Sequence, residues 1–184
     1  AGLVANVARY QVGSTTTINA QSAGTQGLDG VPPDALTLIG SNATDPATGL
    51  FALDKVDLFN ILCLPRIGRV SGTTTDFSGA EVNTVVSAAT NYCTEHRAML
   101  VLDTPSNVTN VLQFRQWLGT VDALRDNHVA VYFPRVLVAD PEAGFRSRSF
   151  GASGTIAGLY ARIDASRGVW KAPAGTEASL RAVQ

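Results

Sequence analysis

A chain of 184 residues, 45% hydrophobic and 16% charged, is long enough for one domain with a sizeable core, and this balance excludes a disordered or all-polar polypeptide. A formal net charge of −1, with acids and bases mixed along the chain, leaves no electrostatic footprint for nucleic acid or an anionic membrane, so neither is expected as a partner. No apolar run approaches the ~18 residues of a membrane span and no signal-peptide pattern opens the chain, so no membrane insertion is expected.

The first 48 residues read as a polar leader with loops and marginal strands. Residues 11–34 are rich in Ser, Thr, Gly and Gln and close on the turn cluster Asp29-Gly30-Val-Pro32-Pro33-Asp34. Ala35-Leu-Thr-Leu-Ile-Gly40 reads as a short strand or edge element, and Ser41 to Gly49 as a loop, so the ordered core is expected to begin near Gly49. From Val56 to Leu64 an apolar run, broken by Asp57 and Asn60 and stopped by Pro65, predicts a buried strand. A loop from Arg66 to Ser78 follows, with Gly68, Gly72 and three consecutive threonines.

Val82, Val85, Val86, Ala89, Cys93 and His96 then recur at three- and four-residue steps, behind Ser78 with Glu81 three positions on. That pattern predicts a helix opened by a capping box. The strand Ala98-Met-Leu-Val-Leu-Asp103 is stopped by Thr104-Pro105. A second helix is predicted from Val108 to about Arg125, then a strand Val129-Ala-Val-Tyr-Phe133 ending at Pro134. Strand, helix, strand, helix, strand predicts an α/β core over 49–175: a largely parallel sheet flanked by helices. The last predicted helix carries Ile156, Leu159, Tyr160 and Ile163 on one side and stops at Ser166-Arg167-Gly168, before an extended segment with Trp170 and Pro173. Residues 176–184 resume a helix-compatible pattern without a stop signal, and Ala1 follows no methionine, so the chain is expected to be a fragment.

Because active sites of parallel sheets gather at strand carboxyl ends, Asp103 and the loop from Arg135 to Asp140 are candidate positions. No glycine-rich phosphate loop follows any strand, and Asp103 before Thr104-Pro105 equally suits a capped turn. Gly151-Ala-Ser153-Gly154 opens the last helix, where a serine hydroxyl could use helix amides as an oxyanion hole. Ser153 is therefore the candidate nucleophile. It needs a positioned base, and the two histidines, His96 and His128, both fall at helix-to-strand junctions, at the strands' amino ends. The alternative for Ser153 is a helix cap, with Gly151 and Gly154 allowing close backbone approach.

Cys63 and Cys93 read as buried thiols, and no histidine, cysteine or acid cluster has metal-ligand spacing, so no metal or other cofactor is expected. Arg146 and Arg148 flank serines in an expected loop. Arg162, Asp164 and Arg167 read as a local ion-pair and capping network or as an intersubunit contact, and Trp170 as a core plug or an interface anchor. A small-molecule or carbohydrate-binding module would call for a deep aromatic pocket, against which stand 7% aromatic residues and Trp117 within a helical pattern.

Three stretches carry a family likeness: Leu50-Phe-Ala-Leu-Asp54-Lys-Val-Asp57-Leu-Phe-Asn60-Ile-Leu-Cys-Leu-Pro65, Tyr132-Phe-Pro134-Arg135-Val-Leu-Val-Ala-Asp140-Pro141, and Gly158-Leu-Tyr160-Ala-Arg162-Ile-Asp164-Ala-Ser-Arg167-Gly168-Val-Trp170-Lys-Ala-Pro173-Ala-Gly175. In this order, over residues 28–175, the chain resembles the sheath proteins of contractile phage tails and related injection systems, whose conserved domain is similar in architecture to the subtilisin fold. The resemblance implies a structural subunit and no enzyme or cofactor. Its implied partners are copies of itself in stacked six-membered rings, an inner tube protein and a baseplate, in a virion tail or contractile particle assembled in the bacterial cytoplasm. Tyr160, Arg162, Asp164, Arg167, Gly168, Trp170 and Pro173 are the motif residues it singles out.

Overall fold

The computed structural model describes residues 31–70, 72, 76–121, 124–141 and 144–180. The chain divides into two units, residues 1–32 and 33–184, and the second holds the fold. Expectations for the leader up to residue 30 lie outside the described residues.

The fold is α/β. Three parallel strands, β1 (Ile61–Cys63), β2 (Met99–Asp103) and β3 (Val129–Tyr132), lie in the order β1-β2-β3. Leu62 is level with Leu100, and Val101 with both Cys63 and Ala130. The helices are α1 (Ala35–Ile39), α2 (Gly79–His96), α3 (Val111–Leu118) and α4 (Ser153–Arg167). A separate antiparallel hairpin, β4 (Val136–Asp140) with β5 (Arg146–Phe150), stands between β3 and α4.

Strand alternation divides the core in two. Leu62, Leu100 and Leu102 pack with α1, the α2 residues Val82, Val85, Val86, Ala89 and Cys93, and a 3-10 turn over Gly49–Lys55. Cys63, Met99 and Val101 face the other way, onto Ile156, Leu159 and Ile163 of α4 and Val136 of β4. The sheet is thus covered on both faces, as a parallel sheet requires.

Helix α2 begins where the sequence predicts. The Ser78 hydroxyl accepts from the Glu81 amide at 3.3 Å, while the Glu81 carboxylate accepts from the Ser78 amide at 2.8 Å. It ends on Arg97 in the left-handed region, φ 55°, and the Ala98 amide returns to the Cys93 carbonyl at 2.8 Å.

Elsewhere the structure corrects local expectations. Ala35–Ile39 is a helix, not a strand, because Asp34 accepts from the Thr37 amide at 2.7 Å and opens a helical turn; Ala35 is buried, so the core reaches back to this point. The run from Val56 to Leu64 yields only the three residues of β1, since Val56 and Leu58 are exposed beyond the 3-10 turn. The second long helix contracts to α3, opened by Asn110 accepting from the Gln113 amide at 2.9 Å and closed at Gly119-Thr120. Arg146 and Arg148 lie in strand β5, not in a loop: Arg148 pairs across the hairpin with Asp140 at 2.9 Å. The helix-compatible end begins as a single 3-10 turn, Thr176–Ala178, and residues 181–184 lie outside the described residues.

Candidate functional site at the carboxyl edge of the sheet

The two candidate positions, Asp103 and Ser153, are fifty residues apart in sequence and meet in space. Asp103 ends β2 and is 3% exposed; Ser153 opens α4 and is 1% exposed. The Ser153 amide donates to Asp103 Oδ1 at 2.7 Å and its hydroxyl donates to Oδ2 at 2.9 Å. A carboxylate at a helix amino end satisfies orphan amides and meets the positive end of the helix dipole, and such charge-assisted bonds are among the stronger ones. The expected cap is therefore inverted. Ala152 occupies the cap position with no side-chain bond, and the capping oxygens come from the sheet.

Two glycines make room for the carboxylate. A Cβ on Gly151 would stand 2.0 Å from Asp103 Oδ2, and one on Gly68 would stand 2.7 Å from Asp103 Cβ. Beside them, Arg135 Nη1 donates to the Thr104 carbonyl at 2.9 Å and its Nε donates to the Ser149 hydroxyl at 3.2 Å, tying the hairpin to the same edge. The Cys63 thiol lies next to Ser153. Burial chiefly, then the Asp103 charge, raises its pKa, and the hydrogen bond with Ser153 opposes them. Burial pushes Cys93, on the other face, up to about 11. Both cysteines are free thiols held away from the reactive thiolate form.

Chemically the arrangement caps the start of α4. A serine nucleophile needs a base with a free lone pair facing it. Here its partner is a carboxylate already engaged by a helix amide. The histidines lie elsewhere: His96 Nδ1 is 2.9 Å from the Tyr92 carbonyl and its Nε2 3.8 Å from Asp54, while His128 Nδ1 is 3.2 Å from Asp126. Among the described residues no group of three or more His, Cys, Asp or Glu side chains could hold a metal ion, and no helix is long and apolar enough to cross a membrane.

The motif residues after Ser153 divide into two sets. One set fastens α4. The Tyr160 and Tyr132 hydroxyls share a hydrogen bond. Arg162 Nη2 donates to the carbonyls of Glu177 at 3.3 Å and Ser179 at 2.7 Å, and Arg167 Nε lies 3.4 Å from the Glu177 carboxylate. Asp164 joins through its carbonyl, which accepts from the Gly168 amide at 2.9 Å. The second set is displayed. Val169 is 85% and Trp170 76% exposed, so within this chain Trp170 is no core plug; Pro173 follows, half-buried, in the irregular return.

Burial first, then the Asp54 hydrogen bond at 2.5 Å, pushes the Tyr92 phenol far above its ordinary range. The folded chain therefore keeps a proton that the unfolded chain releases above about pH 10. Stability is present in full below that pH and falls as the pH rises beyond it. In urea titrations from about pH 9 to pH 11, Tyr92→Phe should flatten this alkaline loss; parallel curves for wild type and variant would rule the effect out.

No protein-family model matches the chain, and no curated protein matches it.

Proposed function

We propose that this chain is the α/β domain of a contractile sheath subunit, a structural part that stacks with copies of itself in rings around an inner tube and is driven by rearranged contacts between subunits. The observation that carries the reading is the division of the 158–175 motif. Tyr160, Arg162 and Arg167 fasten the helix, while Val169 and Trp170 stand in water as an apolar anchor. Exposed tryptophan at a fixed turn is what an intersubunit contact uses. A device that changes by sliding packed bodies past each other also needs rigid bodies, and a sheet covered on both faces and latched at its edge by Asp103 supplies one. The proposal asks for no cofactor. Electron microscopy of the protein expressed from its full reading frame tests it: striated hollow tubes are expected, and a protein that stays dispersed at every salt concentration overturns it.

The contact between Ser153 and Asp103 favours one other reading, a serine hydrolase. The burial and engagement of Ser153 predict no labelling by an active-serine phosphonate probe. Labelling that disappears in Ser153→Ala would reverse that conclusion.

A further inference from the structure

Taken over the whole chain the charges look mixed, but the fold sorts them by layer. The described residues of 31–96, which build the α1 and α2 face, hold seven acids against three bases; those of 135–180, which build the hairpin and α4 face, hold six bases against three acids. The two layers lie on opposite faces of one sheet. The two segments therefore differ in the sign of their charge, and each carries exposed apolar groups: Leu36 and Leu58 in the first, Phe145, Val169 and Trp170 in the second.

The acidic face holds a groove along α2. One cleft of about 290 Å³ lies between Asp34, Leu36, Glu81 and Thr84, and a second of about 240 Å³ between Leu50, Phe51, Ala88, Asn91, Tyr92 and Glu95. Glu81, Thr84, Ala88, Asn91 and Glu95 follow each other at three- and four-residue steps, so the clefts continue one another along a single helix stripe. The floor is apolar and aromatic, with Glu95 at the rim and Asp54 beside Tyr92. On the other face the turn after α4 offers the complement. The Trp170 indole is seated over Gly168, where a Cβ would meet Nε1 at 2.7 Å; beside it Arg167 pairs with Glu177 while remaining half exposed, and Lys171 Nζ donates to the carbonyls of Ala172 and Ala174.

We infer that the α2 groove of one copy receives the Trp170 turn of another, with the indole against Leu50 and Phe51 at the mouth of the second cleft and the basic side of the turn toward Glu95. The inference rests on the sheath reading for its choice of a second copy as occupant. The contact is heterologous, because groove and turn are different surfaces on opposite faces, so it propagates head to tail and leaves each end open to the next copy. An apolar anchor inside a charged rim also gives it an orientation and a salt dependence.

Complementation by mixing tests it. Sedimentation velocity of the 184-residue chain should show concentration-dependent association, weaker in high salt. Trp170→Ala keeps the groove and loses the anchor; Asn91→Arg with Glu95→Arg keeps the anchor and obstructs the groove, at two exposed positions that spare the core. Each variant alone should associate more weakly than wild type by about tenfold or more. An equimolar mixture should recover wild-type affinity but stop at the dimer, since only one productive contact remains. A wild-type chain that stays monomeric at every concentration, variants that associate normally, or a mixture that restores nothing would each overturn the contact. Circular dichroism of both variants, expected unchanged, keeps a folding defect from passing as a positive result. Tubes of the full-length protein without restored dimers would sink this contact and leave the sheath reading standing; restored dimers without tubes would do the reverse.

Discussion

Gly151→Ala should lower the stability of the fold by about 3–5 kcal/mol, although the residue is small and lies outside any element. Glycine-to-alanine replacement where the backbone permits it ordinarily stabilises by about 0.4–1 kcal/mol through the unfolded chain, so the expected sign is reversed. The reason is local. The new methyl carbon would lie 2.0 Å from Asp103 Oδ2, 2.1 Å from Cγ and 2.4 Å from Oδ1, distances that no real contact shows. Asp103 cannot withdraw along its strand, because β2 is paired on both sides by β1 and β3, and Gly68 closes in behind its Cβ. Either the start of α4 lifts from the sheet or the carboxylate turns away, still buried and stripped of its two donors. Breaking a buried charged group from its partners costs the most of any such change. Urea denaturation measures it; an unchanged midpoint would show that Asp103 does not hold α4.

The second large effect is Asp103→Ala, expected to cost about 2–3 kcal/mol. The Ser153 amide loses its cap, worth about 1 kcal/mol, and the buried hydroxyl is orphaned, while relief of a desolvated charge offsets part of the loss. Its diagnostic value lies in combination. With the carboxylate gone, Gly151→Ala meets no oxygen, and the double variant should be hardly less stable than Asp103→Ala alone, a coupling of about 3–5 kcal/mol, equal to the whole cost of Gly151→Ala. Additive losses would mean that Gly151 is needed for something other than Asp103.

What could be read from the sequence was whatever local chemistry decides. Ser78 and Glu81 are three residues apart and form their capping box within one turn, and the periodic valines behind them find the core they predict. Met99–Asp103 and Val129–Tyr132 are apolar runs between clear stops. Misreadings arose where a distant partner decides. Arg146–Phe150 has no apolar alternation of its own, and its ladder bonds come from Val136–Asp140. Ala35–Ile39 is the exception: its cap, Asp34 on the Thr37 amide, is as local as the Ser78 box and is overlooked because the pentapeptide reads as a strand. Asp103 and Ser153 were each recognised as candidates, but only folding brings them together, and nothing along the chain encodes that the cap of α4 comes from β2. The α2 groove was likewise invisible, because Leu50 and Phe51 must first fold back over Ala88 and Tyr92.

The latch between Asp103 and Ser153 also has a mechanical meaning. Helix α4 has 15 residues, about 22 Å of rod at 1.5 Å per residue, with the Trp170 turn beyond one end and the carboxylate at the other. It starts at the carboxyl edge of the sheet and packs against β1 and β2, so it lies back along them. A pull on the turn therefore travels as tension down the helix and enters the middle strand at its tip. There the ladder to β3, which reaches Asp103 opposite Tyr132, and then the ladder to β1, which begins at Val101, take the load in shear instead of peeling apart one after another. A domain built this way hands a pull on the Trp170 turn to the middle strand of its sheet.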